Sequence, residues 1–125
     1  DVQAALVTLQ QTVEQRQTAI LLQPTSPKLR SELSVTLNAQ GLLLADSGDM
    51  AHAKICFEQA ADQLQQARDM SLASWNAESQ VALLNVLINL ASVSKDLSSS
   101  HWSELVHNFE NEWQHAVLQA PKAQA

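Results

Sequence analysis

The chain is 125 residues long, the size of one domain, and folding a chain of that size removes roughly two-thirds of its unfolded surface from water. With 46% hydrophobic and 16% charged residues but only two Gly and three Pro, it is too apolar for a disordered segment and too poor in chain-reversing residues for a turn-rich sandwich. Seven Lys and Arg against thirteen Asp and Glu give a net charge of -6, which repels phosphate backbones and anionic lipid and so argues against nucleic acid and membrane surfaces as partners.

A single cysteine, Cys56, supplies neither an internal disulfide nor a metal-ligand spacing. The longest mainly apolar run, Val81 to Val93, is broken by Asn85, Asn89 and Ser92 and falls short of the ~20 residues of a membrane span. The expectation is a soluble chain, with the cytoplasm slightly favoured but fixed by no residue. The start at Asp1, without an initiator Met or a charged-then-apolar leader, reads as a processed product, a fragment or an isolated domain.

In chain order, the first predicted helix runs from about Val2 to Leu22, where Val2, Leu6, Leu9, Val13 and Ile20 make an apolar stripe at helical spacing. Pro24 ends it, Ser26 caps and Pro27 opens the next helix, which is expected to reach Asp46 and stop at Ser47-Gly48. Asp49 then caps a third helix to about Met70, with Met50, Ala53, Phe57, Ala60, Ala61, Leu64 and Ala67 on one arc. A break over Ser71 to Asn76 leads to a fourth helix, about Ala77 to Lys95, whose apolar residues wrap much of its girth, Val81 and Ile88 among them. It reads as the most buried helix. After a polar turn over Asp96 to Ser100, with Ser100 as cap, a fifth helix starts near His101 and carries Trp102, Leu105, Val106, Phe109, Trp113, Ala116 and Val117 on one side. Residues 119–125 are expected to fray. The predicted fold is all-α: one domain of five antiparallel helices, with the N-terminal helix over 1–22, a hairpin over 27–70 and a second, degenerate hairpin over 77–118.

Few residues carry chemistry. His52 and Cys56 lie four apart on one side of the third helix, but no orienting carboxylate or amide and no oxyanion-hole turn accompanies them, so plain packing is the better reading of the thiol. Glu104-x-x-His107 and Glu112-x-x-His115 match the spacing of di-iron bundles, yet both sit on one helix, where a solvated polar face explains them better. Three of the four histidines lie on this helix, which makes its charge responsive between about pH 5 and 7. No catalytic residue, metal site or cofactor is expected. Trp75, Trp102 and Trp113 lack the surrounding positive charge that base stacking needs.

Leu37-x2-Gln40-Gly41-x2-Leu44, followed by Gly48-Asp49, Ala53-x3-Phe57 and Ala60, resembles one tetratricopeptide repeat, a helix-turn-helix unit of about 34 residues, over about residues 33–66. Small side chains at Gly41, Ala53 and Ala60 let paired helices approach, while Leu37, Leu44 and Phe57 fill the space around them. Gln40 stands where the family has Leu, and Gln65 where it has Pro. The resemblance implies helix-turn-helix hairpins in a right-handed stack, with the first helix of each unit lining a groove. By that analogy Val35, Asn38, Leu42, Ala45 and Asp46 face a ligand, and Asn85 and Asn89 join them if the fourth helix plays the same part. The implied function is binding of another protein, as an adaptor- or chaperone-like module that takes a partner helix or extended peptide. The alternative is a self-associating structural subunit that uses the Val2-Leu6-Leu9-Val13 stripe or the Trp102 face.

Overall fold

The structure is a computed structural model that describes residues 1–94 and 99–119. Its elements are α1 (Val2–Leu22), α2 (Pro27–Asp46), α3 (Met50–Met70), a single 3-10 turn (Leu72–Ser74), α4 (Ala77–Ser94) and α5 (Ser99–Gln119), with no strand among the described residues. The chain is all-α. Local signals set the boundaries. Asp1 accepts from the Gln3 N–H at 3.0 Å, and Ser26 accepts from the Leu29 N–H at 3.2 Å with Pro27 in the first turn. At the end of α2, Gly48 takes φ 92°, so that its N–H reaches the Ala45 carbonyl at 3.0 Å and the Asp49 N–H reaches Leu44 at 2.9 Å. That pair of bonds closes α2 as a Schellman motif. Asp49 immediately caps α3, accepting from the His52 N–H at 3.1 Å.

Pairings across helices fix their directions. Arg30 bonds Gln63 and Cys56 bonds Gln40, so α2 and α3 run antiparallel. Arg16 with Glu32 and Gln10 with Gln40 set α1 antiparallel to α2, and Asn89 on α4 bonds Asn38 on α2. The core runs through all five helices, from Val13 and Ile20 through Leu33, Leu37, Ala53, Phe57, Ala60 and Leu64 to Leu83, Leu87, Leu90 and Leu105. Phe57 is 1% exposed, and its ring lies where a side chain on Gly41 would stand: a Cβ there would sit 2.5 Å from Phe57 Cε1. Ala53 and Ala60 are fully covered on the same face of α3, which brings the two backbones close.

A second device fastens α5. Arg68 Nη1 donates to Glu112 Oε2 at 2.6 Å, Gln80 Nε2 donates to the Glu112 carbonyl and carboxylate at 3.1 and 3.2 Å, and Trp75 Nε1 donates to Gln80 Oε1 at 2.7 Å. Both charged groups are largely shielded from water, and a pair so placed repays its desolvation only when the remaining polar atoms are also satisfied, as Gln80 arranges here.

Several expectations need correction. Glu112 is buried rather than on a solvated face, because Arg68 and Gln80 supply its partners. Val81 and Ile88, placed in the wrap of a buried α4, are 54% and 50% exposed, since α3 and α5 cover only the opposite arc. Trp113 and Val117 are also exposed, as Glu112 takes the inward position beside them. Helix α5 begins at Ser99, so Ser100 lies within the helix and is not its cap. Of the turn expected over Asp96 to Ser100, residues 96–98 lie outside the described residues, as do residue 95, residues 120–125 of the expected tail and the Trp102, His115 and Ala116 side chains, while Gln119 is the last residue of α5.

Adding a methyl at Gly41 forces the Phe57 ring aside, a cost of about 1–3 kcal/mol that outweighs the roughly 1 kcal/mol gained in helix propensity. Gly41→Ala is therefore expected to lower stability in urea titration, and Phe57→Ala to lower it by about 3–5 kcal/mol. With the ring gone, Gly41→Ala should turn stabilising in the double variant. The Asp49 carboxyl is held below its ordinary 3.8 by the His52 backbone N–H and then by the His52 ring. A folded pKa below the unfolded one means the contribution is present above about pH 3.8 and fades as pH falls through the folded value. Asp49→Asn should flatten the acid limb of stability against pH, and an unaltered limb would show that the cap carries no proton linkage.

Candidate functional site

The residues singled out for partner binding fall on neighbouring faces of α2 and α4. Both helices run antiparallel to α3: for α4 this follows from Gln80 pairing with Glu112 near one end of α5 while Leu90 meets Leu105 near the other, and from α3 lying parallel to α5. On α2, Val35 is 67% and Leu42 43% exposed, seven residues and therefore about two turns apart on one side of the helix. On α4, Val81, Asn85, Ile88 and Ser92 recur at the same helical spacing and are all exposed. Asn89 Nδ2 donates to Asn38 Oδ1 at 3.0 Å, and this bond joins the rims of the two faces.

The amide pair uses half of its capacity in that bond. The Asn38 NH2 and the Asn89 carbonyl oxygen are the groups not engaged in it, one a donor and one an acceptor. Both residues are half-buried, as is Ala45, which packs against the core, while Asp46 and Asn85 are exposed. The face is thus a row of aliphatic side chains around a polar centre, with Lys28, Asp46 and Glu78 exposed toward the helix ends among the described residues. The helix-packing set behaves differently: Leu37, Gly41, Ala53, Phe57 and Ala60 are buried and Leu44 half-buried.

The other candidates are not assembled into a site. The His52 ring nitrogen Nδ1 lies 2.7 Å from Asp49 Oδ2, whereas the Cys56 thiol turns to Gln40 Oε1 at 3.5 Å. Burial pushes the Cys56 thiol above its ordinary 9.0, with the charge of Asp49 adding to the effect. That is the reverse of what a nucleophilic thiolate needs. Glu104 and His107 face solvent, and His107 lies 3.3 Å from Asn111. Among the described residues no group of three or more His, Cys, Asp or Glu side chains is placed to hold a metal ion. None of the described helices is long and apolar enough to cross a membrane.

Sequence reasoning missed the exposure of Val81 and Ile88, half of this aliphatic row. The one available signal was their spacing with Asn85 and Ser92, which marks a polar-containing side of α4. No protein-family profile, curated protein or solved structure matches this chain, so the reading of the face rests on its own chemistry.

A shielded, protonated thiol reacts slowly. Carbamidomethylation of Cys56 by iodoacetamide at pH 7 is expected to run about tenfold or more slower in the folded protein than in urea, and equal rates would return Cys56 to the list of reactive groups.

Proposed function

We propose that this chain is a non-enzymatic protein-binding module, built on a tetratricopeptide-like hairpin of α2 and α3, that receives a partner helix or an extended peptide along the α2–α4 face. The observation that carries the reading is the row of exposed aliphatic residues, Val35 and Leu42 beside Val81 and Ile88, set around the Asn38–Asn89 bond. Isolated surface aliphatics need no explanation, but four on neighbouring helices, spaced by Asn38 and Asn85, are of the kind that can anchor a partner's apolar stripe. Apolar burial supplies the energy, and the free donor and acceptor of the amide pair set the register of the bound segment. The close approach of Gly41 to Phe57 and the covered Ala53 and Ala60 support the repeat-like character of the hairpin. In such a stack α2 and α4 are the equivalent first helices of successive units, in a right-handed arrangement, and an adaptor, scaffold or chaperone-like role follows from it.

A second reading, a self-associating structural subunit, is favoured by a different observation. Trp113, Val117 and Leu118 on α5 are exposed around a shallow cleft of about 360 Å³. The α1 stripe is a weaker candidate for that role, because Leu6 and Leu9 are half-buried and Val13 is buried within the chain.

Val35→Asp combined with Ile88→Asp places two charges on the face at positions that pack no core. Affinity capture from the native source is expected to lose partner recovery by roughly tenfold or more with this variant, whereas Leu22→Asp, at an exposed site on α1, should capture as the unaltered chain does. Undiminished capture by the double variant would overturn the assignment of the face. Sedimentation equilibrium separates the second reading: a tight dimer abolished by Trp113→Ser belongs to it, and a concentration-independent monomer removes it.

A further inference from the structure

A second cleft lies on the opposite side of α2 from Val35, between α1 and α3, and measures about 450 Å³. Val13, Leu37 and Leu44 supply the apolar part of its floor. The polar groups that converge on it are amides, Gln10, Gln17, Gln40 and Gln59. Among the described residues no Lys, Arg, Asp or Glu lines it, and the one ionisable ring, that of His52, already has Asp49 as its partner. A charged occupant would lose its hydration without gaining an opposite charge, so the cleft is matched to an uncharged one.

The four amides divide into two kinds. Gln40 occupies the centre of the floor, and its amide is spent: Nε2 donates to Gln10 Oε1 at 2.9 Å and Oε1 accepts from the Cys56 thiol at 3.5 Å. It ties α1 to α3 at the position where the resembled family has Leu. Gln17 on α1 and Gln59 on α3 are exposed and stand on opposite walls. Both lie toward the Leu37 end, because α1 and α3 each run antiparallel to α2. Each carries an acceptor oxygen and an NH2 donor, so the two together complement one peptide unit, one amide donating to its carbonyl and the other accepting from its N–H. The wall from Gln10 to Gln17 rises about 10.5 Å, the reach of about three residues of extended chain.

The geometry points to a binding site for a short, uncharged, extended peptide segment, with its backbone held between Gln17 and Gln59 and an aliphatic side chain seated on Val13, Leu37 and Leu44. This site is separate from the α2–α4 face and does not depend on it.

The simplest probe is N-acetyl-leucine-N′-methylamide, one aliphatic side chain between two peptide units, titrated into 15N-labelled protein. The expected result is saturable movement of the Gln17 and Gln59 side-chain amide signals with a dissociation constant on the order of 1 mM. N-acetyl-lysine-N′-methylamide should bind about fivefold or more weakly, for want of a counter-charge. Gln17→Ala combined with Gln59→Ala, both at exposed positions, should keep the folded spectrum and lose at least about tenfold in affinity. The proposal is overturned by absence of saturation, by equal affinity of the double variant, by equal affinity for the lysine compound, or by shifts centred on Val35 and Ile88. The last result would move the peptide to the other face, and the first three leave partner capture by that face untouched.

Discussion

The packing of the Phe57 ring against the bare backbone of Gly41 is the constraint from which the rest of the arrangement follows. A helix pair normally stands 8–10 Å apart according to the side chains at its contact. Here one partner contributes no side chain, and the other contributes a large flat one that fills the space completely. Helix α2 is thereby pinned in both distance and rotation relative to α3. Its remaining sides are then assigned: Glu32 and Gln40 go to α1, Asn38 goes to α4, and Val35 and Leu42 are left to solvent. The tight connection at Gly48-Asp49 serves the same end, since a Schellman closure followed at once by a cap leaves the hairpin little slack.

What was legible in the sequence is what local chemistry decides. Pro27, Gly48 and Asp49 mark helix ends through their own backbone and side-chain geometry, so the limits of α2 and α3 were readable within a residue. The buried arc of α3 was readable too, because Ala53, Phe57, Ala60 and Leu64 stand against charged and amide neighbours. On α4 the periodic signal fails. Leu83, Leu84, Leu87 and Leu90 are buried, Val81 and Ile88 are not, and all six are aliphatic, so composition gives no contrast with which to choose a side. Of the candidate site, Asn38 and Asn89 were singled out separately, but their bond joins residues 51 positions apart, and no single-helix pattern contains it.

Helix α5 shows how a long-range polar contact overrides a local apolar pattern. Its stripe placed Trp113 inward. The inward position instead belongs to the neighbouring residue, Glu112, whose partners Arg68 and Gln80 lie 44 and 32 residues back along the chain. A carboxylate enters an interior only with its bonds satisfied. Once Arg68 and Gln80 are in place, the rotation of α5 that satisfies Glu112 leaves Trp113 at the edge of the contact, 54% exposed. The stacking of Arg68 over Trp75, 5.8 Å from guanidinium carbon to ring centroid, helps to hold the guanidinium beside Glu112.

The two surfaces of α2 differ in how they discriminate. On the α2–α4 side the polar centre is a pair that already satisfies itself in part, so under the proposed function an apolar segment would lose little by covering it and would be ranked by shape and apolar area. On the α1–α3 side the exposed amides Gln17 and Gln59 are hydrated when the cleft is empty, and an occupant that lacks peptide groups would leave them unpaired. Under the proposed peptide site, selection there would be by hydrogen-bonding pattern, and the cost of a mismatch would be the desolvation of two amides. Because α2 packs closely on Phe57, rolling it toward either side would cost packing, which favours independence of the two proposed surfaces over coupling.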